Sequence, residues 1–205
     1  MLFLIVAIIT IPAIVGFFLV RGKLTSINRR HRQLEYEIRS RLQSIASEVE
    51  GELIAGPELR TRRGRLVLLA SKAPEIMTID VAKFTAPLDS PGQLTVVPIQ
   101  DAKKVIHTRA LRPLAMNDPA IDSVYAILAS DEALARRLVT PALIEKLQAL
   151  DRSAKLRSRL QISPSGATLL AARGLAEAHE LKAFHEVCAD VVDVLRAQLG
   201  AKATG

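Results

Sequence analysis

The sequence predicts an α+β fold: one N-terminal transmembrane helix, then a mostly antiparallel sheet packed with amphipathic helices. Three observations carry this. Residues 1–20 contain no charged side chain. Several short β-rich runs follow one another across turn signals. Two longer stretches, about 26–50 and 175–199, repeat apolar residues at helical spacing. Strands joined by short turns pair antiparallel, which argues against a doubly wound parallel sheet.

The first stretch, "MLFLIVAIITIPAIVGFFLV", is long enough at ~1.5 Å per residue to cross about 30 Å of hydrocarbon. Pro12 and Gly16 are tolerated in a spanning helix. No Lys or Arg precedes the run and "GFFLVRGK" offers no cleavage site, so the segment reads as an anchor rather than a signal peptide. Positive flanks stay cytoplasmic, and here Arg21, Lys23, Arg29, Arg30 and Arg32 all follow the span. The expectation is therefore an outside N-terminus and a cytoplasmic domain. A single cysteine, Cys188, suits a reducing compartment.

The expected organisation is residues 1–20 as the span, 21–56 as a basic juxtamembrane amphipathic helix and linker, 57–200 as the α+β domain, and 201–205 as a loose tail. In the first helix Leu34, Ile38, Leu42, Ile45 and Val49 form one stripe, and Gly51 or Gly56 with Pro57 ends it. "RLVLLAS" (65–71), "EIMTIDVAKF" (75–84) and "QLTVVPI" (93–99) read as strands. Residues 101–122 show no clear pattern, and "MNDPAID" reads as a loop. "DSVYAILAS" (122–130) is a strand leading to a helix capped by Ser130 or Asp131, and Thr140 with Pro141 starts another. "KLRSRLQI" and "ATLLAAR" flank the turn "SPSG" as a hairpin. The last helix aligns Leu181, Phe184, Cys188, Val191, Leu195 and Leu199 before Gly200.

The net charge of +7 is unevenly placed: residues 21–41 hold seven Lys or Arg against Glu35 and Glu37. That gradient points to a local anionic partner, with Arg21, Lys23, Arg29, Arg30 and Arg32 meeting lipid headgroups or a neighbouring subunit. Two further basic sets are candidate partner surfaces. Arg60, Arg62, Arg63 and Arg65 flank a turn, with Arg63 and Arg65 sharing a face at strand spacing. Lys155, Arg157 and Arg159 share one strand face. No nucleic-acid reading motif accompanies them, and Trp is absent with seven Phe or Tyr in all, so stacking on bases is not expected.

In "HELKAFHEVCAD", His185 and Cys188 lie on one helical face, but His179 projects elsewhere, and a zinc site wants three or four ligands. The pair reads as a core cysteine beside a surface histidine, with no metal. Asp118 and Asp122 are explained by a turn and a strand start. No phosphate loop, dinucleotide fingerprint, G-x-S-x-G or H-E-x-x-H is present, so no enzyme activity and no cofactor are expected.

The stretch "NDPAIDSVYAILASDEALARRLVTPALIEKLQAL" (117–150) resembles uncharacterised bacterial membrane-anchored α+β proteins, in which an Asp-Pro-x-Phe-Asp strand leads into a helix pair; Ile121 stands where the aromatic would be. The resemblance implies a bacterial inner-membrane location. The overall plan, one span followed by a cytoplasmic domain, is similar to a photosynthetic reaction-centre H subunit. The expected function is a non-catalytic single-pass accessory or scaffold subunit of a larger integral-membrane complex, in contact with other subunits and anionic lipid. The alternatives are a free-standing lipid-surface or signalling module, or an enzyme without a recognisable motif.

Overall fold

The computed structural model describes residues 29, 32–54, 56–70, 79–104, 111–153, 157–172 and 177–200, and within them nine strands form one antiparallel sheet. The elements run α1 (32–46), β1 (Glu52–Leu53), β2 (Glu58–Arg60), β3 (Arg65–Ala70), β4 (Ile79–Ala86) and β5 (Leu94–Pro98). A 3₁₀ segment (Ile99–Lys104), β6 (Arg112–Leu114), α2 (Pro119–Asp122), β7 (Tyr125–Ala129), α3 (Glu132–Leu138) and α4 (Pro141–Ser153) follow. The chain continues through β8 (Arg157–Ser163), β9 (Gly166–Ala172) and α5 (Ala178–Gly200). Strand order is β1-β2-β3-β4-β9-β8-β5-β7-β6.

Register makes the core. Leu53, Leu59, Leu66, Phe84, Leu169, Leu160, Val96, Ile127 and Leu114 are successive cross-strand partners, so one apolar row crosses every strand. Because side chains alternate along a strand, the same phase buries Leu68, Ala82, Ala167, Ala171 and Ile162 beside that row. A one-residue slip in any strand would turn its part of the row outward.

The helices cover this face. Leu34, Ile38, Leu42 and Ile45 of α1, Leu134 and Leu138 of α3, Leu143 and Leu147 of α4, and Phe184, Cys188 and Leu195 of α5 join the inner-face strand residues in one apolar cluster. The α1 stripe thus belongs to the domain core, with Val49 packed at its edge. The helix ends on Glu50, whose φ of 50° supplies the left-handed residue, while the Gly51 N–H closes onto the Ala46 carbonyl at 2.8 Å. Asp131 caps α3, accepting from the N–H groups of Ala133 and Leu134, and Thr140 with Pro141 opens α4. Asp118 caps α2, and Asp122 accepts the Met116 N–H, so both carboxylates serve backbone donors. Arg137 of α3 donates to the Gln198 and Leu199 carbonyls at 2.9 and 2.6 Å, satisfying acceptors at the last turn of α5.

A polar latch ties the end of α4 to the sheet. Tyr125 donates its phenol proton to Asp151 at 2.8 Å, and the other carboxylate oxygen accepts from the Ser158 N–H and hydroxyl at 2.7 and 2.6 Å. Burial, then the bond to Asp151, pushes the Tyr125 pKa up.

The expected architecture needs a correction. No helix among the described residues is long and apolar enough to cross a membrane, so the fold is an α+β sheet domain without a spanning helix among them. The physical reason is amphipathicity: even α5, at 23 residues, alternates its buried stripe with Glu180, Lys182, Glu186, Asp190, Asp193 and Arg196. The expected span at residues 1–20 lies outside the described residues. Three short strands, β1, β2 and β6, and the single turn α2 add elements that the sequence pattern does not single out.

Candidate functional site

The outer face of the sheet carries no helix among the described residues, and its composition differs from the inner face. Its central row is Glu52, Arg60, Arg65, Thr85, Thr168, Gln161, Thr95, Leu128 and Pro113, again one residue per strand. A parallel row holds Glu58, Val67, Lys83, Leu170 and Arg159. Toward β5 and β7 this face is closed: Thr95, Val97 and Leu128 are buried, with Leu111 and Ala126 packed on them. From β2 to β8 it is less covered: Arg60, Arg65 and Leu69 are exposed, Leu69 by 42%, while Lys83, Thr85, Thr168 and Arg159 are half-buried.

Charge on the open part is mostly positive. Arg60, Arg65, Lys83 and Arg159 stand against Glu52 and Glu58, and Arg157 opens β8. Arg65 donates its Nε–H to Glu58 at 2.6 Å. Lys83 has no ion-pair partner among the described residues, and the buried Arg159 Nε–H finds no acceptor. Arg60 faces Arg65 directly across β2 and β3, an arrangement that costs stability between like charges.

The expected basic residues fall in different places. Arg21, Lys23, Arg30 and Lys155 lie outside the described residues, whereas Arg29 is exposed and Arg32 is exposed at the start of α1. Arg60 and Arg65 are neighbours on the outer face, and Arg159 lies on the same face three strands further along. Arg62 is exposed and 3.9 Å from Glu50. Arg63 does not share a face with Arg65, because it sits in the β2–β3 turn where strand alternation does not apply. It reaches α5 instead, pairing with Asp190 at 3.0 Å and with Asp193. Lys146 joins Asp190 at 3.3 Å, and Arg196 joins Asp193 at 3.2 Å. Burial opposes ionisation of Asp190, but the bonds from Arg63 and Lys146 outweigh it and hold the carboxyl below its ordinary pKa. Lys83, Thr85 and Thr168 were missed as site residues; the alternation in "IDVAKFTA" is the signal that places the first two outward.

His185 is buried, not a surface residue, because the β2–β3 turn folds over it. Its Nε2 lies 3.1 Å from Thr61 Oγ1, and its ring meets Phe84 edge-on at 5.4 Å. Thr61 also donates to the Gly64 carbonyl at 3.0 Å, so its proton is committed and Nε2 carries the hydrogen of the shared bond. That leaves Nδ1, buried without a partner, as a bare lone pair. Burial first, then the positive charge of Arg63, lowers the His185 pKa to about 4, so the ring is neutral. Cys188, one turn on, is fully buried, and burial pushes its thiol pKa well up. His179 is exposed, and no group of three or more His, Cys, Asp or Glu among the described residues could hold a metal ion. The Thr61 hydroxyl is bound into its own turn, donating to the Gly64 carbonyl and accepting the Gly64 N–H, and through His185 it ties that turn to α5.

No family model, no curated protein and no solved structure matches the chain.

Proposed function

We propose that this chain is a non-catalytic, membrane-associated accessory or scaffold subunit, and that the open basic face of its sheet docks an acidic surface of a neighbouring subunit. The observation that carries the reading is the asymmetry of the sheet: one face is covered by amphipathic helices, and the other presents Arg60, Arg65, Lys83 and Arg159. A half-open sheet with few acidic neighbours leaves positive charge for a partner to neutralise. The uncharged opening residues and the basic run behind them support work beside a membrane with anionic lipid, on its cytoplasmic side. Arg29 and Arg32, both exposed, extend that basic character outside the sheet.

Non-catalytic action is supported by the way the polar groups are used. Asp118, Asp122, Asp131 and Asp151 each accept from backbone donors, and Asp190 and Asp193 are held in ion pairs. The test is native purification in mild detergent followed by size analysis. Migration within a large assembly is the expected result, and migration as a lone monomer at physiological salt would contradict it.

A further inference from the structure

Where the β8–β9 turn folds over the end of β4, the outer face sinks into a concavity of about 540 Å³. The turn is held close: Gly166 has φ 144°, and a Cβ there would lie 2.5 Å from the Ala86 carbonyl oxygen. Arg65 and Lys83 line the concavity from neighbouring strands, with Thr85 and Thr168 directly opposite each other beside them. Arg65, Thr85 and Thr168 are consecutive members of one cross-strand row at ~4.8 Å per strand, and Lys83 is the diagonal neighbour of Arg65. All four side chains therefore line the same concavity.

The donors there are unspent. The side chains of Thr85, Thr168 and Lys83 bond to no group among the described residues. Arg65 gives Nε–H to Glu58 and keeps its terminal N–H groups available. Glu58 also lines the concavity, but it is engaged by that bond, and two cations outnumber it. Fixed cations with free hydroxyl donors and no aromatic ring in the lining suit a compact anion rich in acceptor oxygens.

We propose that this basin binds a phosphate monoester group, with Arg65 and Lys83 meeting its charge and Thr85 and Thr168 donating to its oxygens. The same chemistry comes from a phosphatidic-acid headgroup or from a soluble phosphate. The inference goes beyond the docking of a subunit, because Arg60 and Arg159 lie outside the basin and carry that reading without it.

The test uses the full chain in non-ionic detergent. Thermal unfolding is followed while inorganic phosphate is titrated at constant ionic strength against chloride. Phosphate should raise Tm beyond chloride, and Lys83→Gln and Thr168→Val should each weaken the titration by roughly tenfold, as for loss of one charge-assisted hydrogen bond. Thr168→Val keeps the β-branched shape, so it preserves the test if Lys83→Gln folds poorly. Arg62→Gln, outside the basin, should leave the titration unchanged. Mixed micelles holding phosphatidic acid or phosphatidylserine separate the sources. A larger Tm rise with phosphatidic acid, lost in Lys83→Gln, assigns the lipid headgroup; a response to inorganic phosphate alone assigns a soluble ligand. No response to either, or a response that both variants leave intact, would overturn the site.

Discussion

Thr61 and His185, 124 positions apart in the chain, meet at 3.1 Å between Oγ1 and Nε2 and join the β2–β3 turn to α5. Burial between Phe84 and the turn, with the positive charge of Arg63 nearby, keeps the imidazole neutral. Arg63, two residues from Thr61, clasps α5 further along through Asp190 and Asp193. The turn is thus fastened to the helix at two levels, one buried and one exposed.

Stability should carry the signature of that buried ring. The folded-state pKa of about 4 lies below the ordinary 6.5, so below pH 6.5 the unfolded chain binds the proton more readily. This group's contribution is therefore constant above pH 6.5 and declines as pH falls toward 4, by at most about 3 kcal/mol at ~1.36 kcal/mol per pH unit. Urea unfolding at several pH values should show this slope, and His185→Gln should flatten it. An unchanged slope in the variant would place the pH dependence elsewhere.

The Tyr125–Asp151–Ser158 latch should be sensitive to which partner is removed. Asp151→Ala strands the buried Ser158 donors and the phenol, and should cost roughly 2–4 kcal/mol. Tyr125→Phe removes one donor and leaves Asp151 bonded to Ser158, so it should cost about 1 kcal/mol. Chemical denaturation of both variants checks the order, and equal costs would contradict the latch.

Cys188 should be inert in the folded chain. Its side chain has no exposed surface, and burial disfavours the thiolate that reacts. A thiol reagent should label it only at denaturant concentrations that unfold the domain. Leu195→Ala should cost ~2–5 kcal/mol by emptying the same core, more than Cys188→Ala, which removes less volume. Labelling in native buffer would contradict the packing.

The elements legible in the sequence are those whose signal is local. The stripes of α1 and α5, the Asp131 cap, the Thr140–Pro141 start and the turn between β8 and β9 all lie within a few residues, and each is where the pattern put it. β1, β2 and β6 are two or three residues long, too short for alternation to register, and they exist because neighbouring strands offer partners. His185 reads as a surface position from its own helix, since the turn that buries it comes from more than a hundred residues away. The pairing of Arg63 with α5 is non-local in the same way. Arg60, Arg65 and Arg159 could each be picked out as basic, but only the register places them together with Lys83 on one face.

The most direct measurement of the central claim is co-migration of the chain with its native assembly, compared between the natural sequence and Arg60→Glu combined with Arg159→Gln. Both positions are on the outer face and outside the apolar core, Arg60 exposed and Arg159 half-buried with its Nε–H unpaired, so thermal unfolding should shift modestly at most. The docking account predicts that the variant dissociates from the assembly at physiological salt, and that the natural chain does so only at high salt. Retention of the folded variant in the assembly at both salt concentrations would contradict it.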